Sequence, residues 1–353
     1  MLEAGDIITL SAGAWRLCTP LGQSSYGVLW RAESLAERRP AALKLVNTAQ
    51  MALAAPAQRA HWLDAAGTEI AFLRALQPWD RRHIVGMLDS GAHEGMPAAA
   101  LELLETDLAQ HLNALRARGA TVAPAQALDW LAQVNAALAK VHAYGWRYLD
   151  LKPANLLLDR DGALKLADFG TNRALIAQAP HPYTGTAAWQ APEQFFGVEG
   201  GYLTDARSDY FSLGALLYYL VTGSPLRYSS ACADAFRAHG TAGGTHLLEL
   251  HGKRLPPLLE HDEAALFARL AAGEGTGDIG GIGGIGGDVG HGAAPAVELL
   301  RALLQPRPER RPRHALEISR LIAQARGAAA GDAAGTGNAS ARMAASTPLR
   351  SAA

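Results

Sequence analysis

Asp150, Lys152 and Asn155 stand at fixed offsets in Tyr148-Leu149-Asp150-Leu151-Lys152-Pro153-Ala154-Asn155, a segment that runs into the apolar Leu156-Leu157-Leu158. After a turn at 159–162 comes Leu164-Lys165-Leu166-Ala167-Asp168-Phe169-Gly170. An acid, a base and an amide in one short loop, with a second carboxylate shortly downstream, are the groups that Mg-assisted phosphoryl transfer uses. That chemistry consists of placing an acceptor and neutralising phosphate charge. Asp168 and Asn155 offer the oxygen ligands that a hard Mg2+ ion takes. Singly, each is an ordinary polar turn residue, and only the combination points to a reaction.

Upstream, Lys44 sits inside the apolar run Ala41-Ala42-Leu43-Lys44-Leu45-Val46. Burying its ammonium is expensive unless an anion or a carboxylate meets it, although an edge-strand lysine that snorkels to solvent satisfies the pattern equally. Glu69 opens a stretch with helical spacing, Glu69-Ile70-Ala71-Phe72-Leu73-Arg74-Ala75-Leu76, and is a candidate partner. Leu21-Gly22-Gln23-Ser24-Ser25-Tyr26-Gly27-Val28-Leu29-Trp30 places small residues between apolar runs, as a hairpin covering phosphates requires. An ordinary hairpin fits that turn as well. A Rossmann reading does not, because the chain continues as a strand after Gly27 rather than opening a helix.

These groups need a scaffold, and 353 residues suffice for one large domain or two ordinary ones. Short apolar runs around one helical stretch predict a small, mostly β lobe over 15–101, preceded by a leader over 1–14. Recurrent Leu108, Leu112 and Leu115, then Leu128, Leu131, Val134 and Leu138, predict a larger helical lobe from about residue 108. With 32 basic and 33 acidic side chains the charge is −1, so no field draws the chain to nucleic acid or an anionic membrane. Cys18 and Cys232 are too few for a disulfide framework or structural zinc, and the histidines from His181 to His291 lack ligand spacing. The N-terminal residues lack a signal-peptide pattern, and Phe211 to Val221 is too short to span a bilayer. A cytoplasmic location is expected. The Ala-, Arg- and Gly-heavy composition points to a GC-rich, bacterial genome.

From about Trp15 to Gln324 the chain resembles the eukaryotic-type serine/threonine protein kinases. The segment around Asp150, the Asp168-Phe169-Gly170 triplet and Ala191-Pro192-Glu193 occur in that family's order and at its spacings, and Ser208-Asp209-Tyr210-Phe211-Ser212-Leu213-Gly214 matches its long buried helix. The resemblance implies an α+β, bilobal fold and transfer of the γ-phosphoryl of MgATP to serine or threonine hydroxyls of proteins, with autophosphorylation. It implies that Leu21, Gly22, Ser24, Gly27 and Leu29 cover the nucleotide and that Lys44 holds the α- and β-phosphates, oriented by Glu69. Asp150 is then the catalytic base, Lys152 contacts the γ-phosphate, and Asn155 and Asp168 bind metal. Glu102 and Leu104, in a hinge over 102–107, bond the adenine edge; Leu29, Ala42 and Leu157 sandwich its ring; Asp107 reaches the ribose. Thr186 bridges Asp150 and Lys152, and Arg311 pairs with Glu193.

The pattern departs from the family in places. Leu149 stands where the family has an arginine that meets a phosphorylated activation loop, which predicts activity without loop phosphorylation. Tyr148 replaces a histidine and is expected to stack between Phe169 and Leu73. Ser24 replaces a glycine. A glycine-rich insertion is expected over about 229–296, either a docking element for protein partners or, more simply, tolerated filler, and a disordered Ala- and Gly-rich tail over 325–353. Two alternatives to an active kinase are a nucleotide-binding scaffold without turnover and a small-molecule phosphotransferase. The complete catalytic set speaks against the first, and Gly185 to Glu193, which resembles a peptide-positioning loop, against the second.

Overall fold

The computed structural model describes residues 2–23, 27–273 and 293–328. Its N-terminal lobe is an antiparallel sheet formed by β1 (Ile7–Thr9), β2 (Ala14–Gln23), β3 (Gly27–Ser34), β4 (Pro40–Val46), β5 (Met87–His93) and β6 (Met96–Glu102), in the order β1-β2-β3-β4-β6-β5. Between β4 and β5 run α1 (Thr48–Leu53) and the long α2 (Pro56–Ala75), which starts on Pro56 with its fixed helical φ. The two-residue period of a strand decides what faces the cleft. In β4, Ala41, Leu43 and Leu45 are buried in a cluster with Leu17, Ala32, Ala98 and Ala100, which turns Ala42 and Lys44 to the opposite face.

The leader is not separate from this lobe. Residues of β1 pair with β2, and Ile8 and Leu10 are buried in the same cluster, while Asp89 accepts bonds from Trp15 Nε1 and the Ala12 amide. The 1–14 boundary is therefore corrected: these residues supply an edge strand and part of the small core.

The C-terminal lobe is helical apart from three short pairings, β7 (Thr106–Asp107) and β10 (Leu164–Leu166) with β9 (Leu156–Leu158), and β8 (Trp146–Arg147) with β11 (Arg173–Ala174). Its helices are α3 (Leu108–Ala117), α4 (Pro124–Ala143), α5 (Pro192–Phe195), α6 (Ala206–Thr222), α7 (Arg227–His239), α8 (Gly243–Leu250), α9 (His261–Ala271), α10 (Ala294–Leu303) and α11 (315–328). α6 is the central element, capped by Asp205 at one end and by left-handed Gly223 at the other. Phe211, Leu213, Leu216 and Leu217 on it are fully buried. No described helix is long and apolar enough to cross a membrane.

Two expectations at this end change. Residues 229–273 of the expected glycine-rich insertion are instead part of the helical lobe: α7, α8 and α9 occupy them, and Cys232, Ala235, Leu247 and Phe267 belong to the main core. The run Gly280 to Gly287 lies outside the described residues. The tail boundary also moves, because 325–328 complete α11, where Ala325 is buried and Arg326 pairs with Asp129 at 2.5 Å. Residues 329–353 lie outside the described part.

Candidate active site

A cleft of about 730 Å³ lies between the lobes, and most residues singled out from the sequence line it. Leu21, Gly22, Leu29, Ala42 and Lys44 come from the sheet, Glu69 from α2, Glu102 and Asp107 from the link between lobes, and Asp150, Lys152, Asn155, Leu157, Asp168 and Thr186 from below. Gly27 opens β3 opposite Val46 and lines a small apolar space behind Lys44. Ser24 lies outside the described residues. Leu104 follows the hinge strand without lining the cleft.

The upper cluster is an ion triad. Lys44 Nζ donates to Glu69 Oε2 at 2.6 Å and to Asp168 Oδ1 at 2.9 Å. Glu69 is buried, and burial pushes its carboxyl up while Lys44 pulls it back. The same helix face carries Phe72, whose ring lies 4.5 Å from that of Phe169; Tyr148 packs on the other side at 5.5 Å. Phe169 thus has a ring partner on each side, Phe72 and Tyr148, and Leu73 is buried in the same core. The Tyr148 hydroxyl donates to the Ala167 carbonyl at 2.5 Å, a bond that gives the buried phenol its partner.

Below it is a second network. Thr186 Oγ1 donates to Asp150 Oδ1 at 2.7 Å, Lys152 Nζ donates to Asp150 Oδ2 and to Thr186 Oγ1 at 2.8 Å each, and Asn155 Nδ2 donates to Asp150 Oδ2 at 3.0 Å. Burial raises the Asp150 carboxyl above its ordinary value, with the Lys152 charge the largest opposing influence. The Asn155 nitrogen also donates to the Asp150 carbonyl at 2.9 Å, so the amide oxygen is the atom left for a hard cation. Asp168 completes an oxygen donor set, and the pair fits Mg2+. Replacing Thr186 by Val removes the bridge at nearly constant volume. We expect kcat to fall about tenfold, ~1.4 kcal/mol in the barrier, with nucleotide affinity unchanged; steady-state kinetics with separately varied nucleotide and acceptor would show it.

The loop is anchored from beneath. Asp209, fully buried on α6, accepts the amides of Tyr148 and Leu149 at 2.8 and 2.7 Å and contacts His142 Nε2 at 2.8 Å. Leu149 has φ +67, a strained value for leucine, sustained because its amide is held by Asp209 and its carbonyl by Gln194 Nε2. Gly185 packs here with φ +96, and a Cβ on it would lie 2.5 Å from the Leu149 carbonyl oxygen, so no side chain fits. Further out, Arg311 makes a two-pronged pair with Glu193 at 2.6 and 2.9 Å and lies over the Phe211 ring.

At the hinge, Glu102 is committed on two sides. Its carboxylate takes Lys165 Nζ and the Gly86 amide, both at 2.6 Å, and its own amide donates to the Gly86 carbonyl at 2.8 Å. Asp107 is the N-cap of α3, accepting the Gln110 amide at 2.9 Å and its side chain at 2.6 Å. Gln110 also lines the cleft and does not stand out in the sequence, although an acid followed three residues later by glutamine is a helix-start signature.

A β lobe over a helical lobe, with a Lys–Glu–Asp triad above an Asp–Lys–Thr–Asn network, defines the protein kinase class of fold. Residues 15–320 match the family described as the protein kinase domain, and the chain belongs to that family. It is 36% identical over 168 residues to the serine/threonine-protein kinase PknL of Mycobacterium tuberculosis, covering 46% of this chain and 40% of PknL. To PknD of the same organism it is 30% identical over 266 residues, 74% of this chain and 37% of PknD. To human cyclin-dependent kinase 20 it is 30% identical over 209 residues, 58% of this chain and 56% of that protein. The chain thus spans about two-fifths of the length of the two mycobacterial kinases.

Proposed function

We propose that this protein is a serine/threonine protein kinase that transfers the γ-phosphoryl group of MgATP to hydroxyls of proteins. The observation that carries the reading is the intact pair of networks around one cleft, since a scaffold without turnover has no use for a Thr186-bridged Asp150 and Lys152. In this reading Leu29, Ala42 and Leu157 enclose the adenine, the Glu102 carbonyl accepts from its amino group, and Asp107 with Gln110 meets the ribose. Lys44, oriented by Glu69, holds the α- and β-phosphates. Asn155 and Asp168 would hold Mg2+, which neutralises phosphate charge. Asp150 takes the hydroxyl proton of the acceptor, Lys152 contacts the γ-phosphate, and Thr186 fixes the two relative to each other. Autophosphorylation and a cytoplasmic site of action belong to the same proposal. The test is transfer of labelled γ-phosphate to generic protein acceptors, followed by identification of the labelled amino acid; label confined to small-molecule hydroxyls would sink it.

Leu149 carries the regulatory half of the reading. A buried leucine offers no donor to a phosphate, so enzyme stripped by a phosphatase is expected to keep its initial rate, within about twofold. A rate that vanishes on stripping and returns with phosphorylation of Thr184 would contradict this.

A further inference from the structure

Arg147 is 2% exposed, yet its bonding partners are neutral. Nη1 donates to the Thr204 carbonyl at 2.7 Å, Nη2 donates to the Ala177 carbonyl at 3.0 Å, and Nε is buried with no partner. Its direct neighbour across the β8–β11 pairing is Arg173, a second cation. A guanidinium without a carboxylate, set opposite a like charge, is an expensive residue for a two-residue strand. Burial and Arg173 both push its pKa down, and Asp209 and Asp205 oppose them.

The two carbonyls show what the arrangement does. Ala177 lies in the segment between Gly170 and Ala191 that carries Thr184, Gly185 and Thr186 into the cleft, and Thr204 immediately precedes the cap of α6. Thr204 is tied to the same segment a second time, its hydroxyl 2.9 Å from His181 Nε2, while His181 and Tyr202 exchange backbone bonds at 2.9 and 3.0 Å. Arg147 is thus a cation bridging the base of the large lobe to the loop. It stands two residues before Leu149, where the chain has no donor for a phosphate.

We propose that Arg147 is a positioning residue that holds the 171–191 segment ready for substrate through backbone carbonyls, in place of a phosphate introduced by modification. The proposal rests on the kinase reading, and its cause is chemical: a carbonyl is always present, so a clamp built on carbonyls is permanent, whereas one built on a phosphate is switchable. Arg173, directly opposite, keeps the pair of strands cationic, so the clamp relies on close hydrogen bonding rather than on net attraction.

The test uses the full chain, phosphatase-treated and checked for absence of phosphate by mass. Arg147→Leu is expected to raise the acceptor KM at least tenfold while the KM for ATP and the thermal shift caused by MgATP stay within twofold of wild type. Arg147→Lys, which retains the charge and reaches one carbonyl, is expected to recover part of the acceptor affinity. Equal losses toward ATP and acceptor, with no recovery in the lysine variant, would overturn the proposal in favour of general structural damage. Amide hydrogen exchange of phosphate-free wild type decides the matter even if Arg147→Leu fails to fold: protected amides over 173–186 are expected, and exchange that slows only after phosphorylation would contradict the clamp. Absence of transfer to any protein acceptor by wild type would count against the kinase reading alone, because the exchange experiment tests the clamp without turnover.

Discussion

Asp150→Asn is expected to lower phosphoryl transfer by about a thousandfold, the scale of a general base, while the protein stays folded and binds nucleotide as before. The asparagine keeps the shape; with its oxygen toward Lys152 and Asn155 its amide nitrogen faces the Thr186 hydroxyl, whose oxygen accepts from it, so the loop has no steric reason to move. Stability follows from the sign of the carboxyl's shift. Burial holds it above its ordinary value near 3.8, and a raised acid favours folding only where it is protonated, an advantage lost as pH rises through its folded value. At neutral pH the charge is a cost to the fold, and a Tm equal to or above that of wild type is expected. Thermal unfolding with and without MgATP, beside a transfer assay, checks both halves; a variant that loses transfer and folding together would show that Asp150 is structural.

Asp209→Ala is expected to be the most damaging substitution away from the cleft. It leaves the Tyr148 and Leu149 amides buried without an acceptor and His142 Nε2 without its carboxylate, a loss of about 3–5 kcal/mol. In a domain of this size that lowers Tm by roughly 5–10 °C. Activity falls further than stability alone explains, because the left-handed backbone at Leu149 is sustained by that carboxylate and relaxes once it is gone. Hydrogen exchange over 146–152 should accelerate selectively. A uniform increase throughout the large lobe would contradict a local anchoring role.

Chemistry that packs into short segments is legible in the sequence. Asp150, Lys152 and Asn155 share one loop, and Asp168 follows one hairpin later, so residue types and offsets announce them before any fold is known. Lys44 is legible only together with these residues, since a lysine inside an apolar run can also snorkel to solvent and the carboxylates are what favour a buried ion pair. Asp209 is not legible as an anchor, because its bonds to Leu149 and Tyr148 span about sixty residues and nothing local in α6 distinguishes an acid that bonds amides from one that faces water. Arg147 is hidden likewise, since its partners are backbone carbonyls, which every residue has.

The start of α8 does not show in the sequence because local preference argues against it. α8 begins with Gly243-Gly244, which normally marks a loop, but a Cβ at Gly244 would lie 2.5 Å from the Phe195 carbonyl oxygen. Close approach of two backbones sets the composition there, and tertiary packing overrides propensity. The first strand is equally silent, because its three residues are too short to show a period.

The account stands most directly on where the phosphate goes. Purified wild type and Asp150→Asn would be incubated with MgATP labelled at the γ-phosphate and with protein acceptors, and the labelled residues identified after hydrolysis. The account predicts phosphoserine or phosphothreonine formed by wild type and lost in the variant. Nucleotide binding by both proteins with no label on any protein hydroxyl would contradict it.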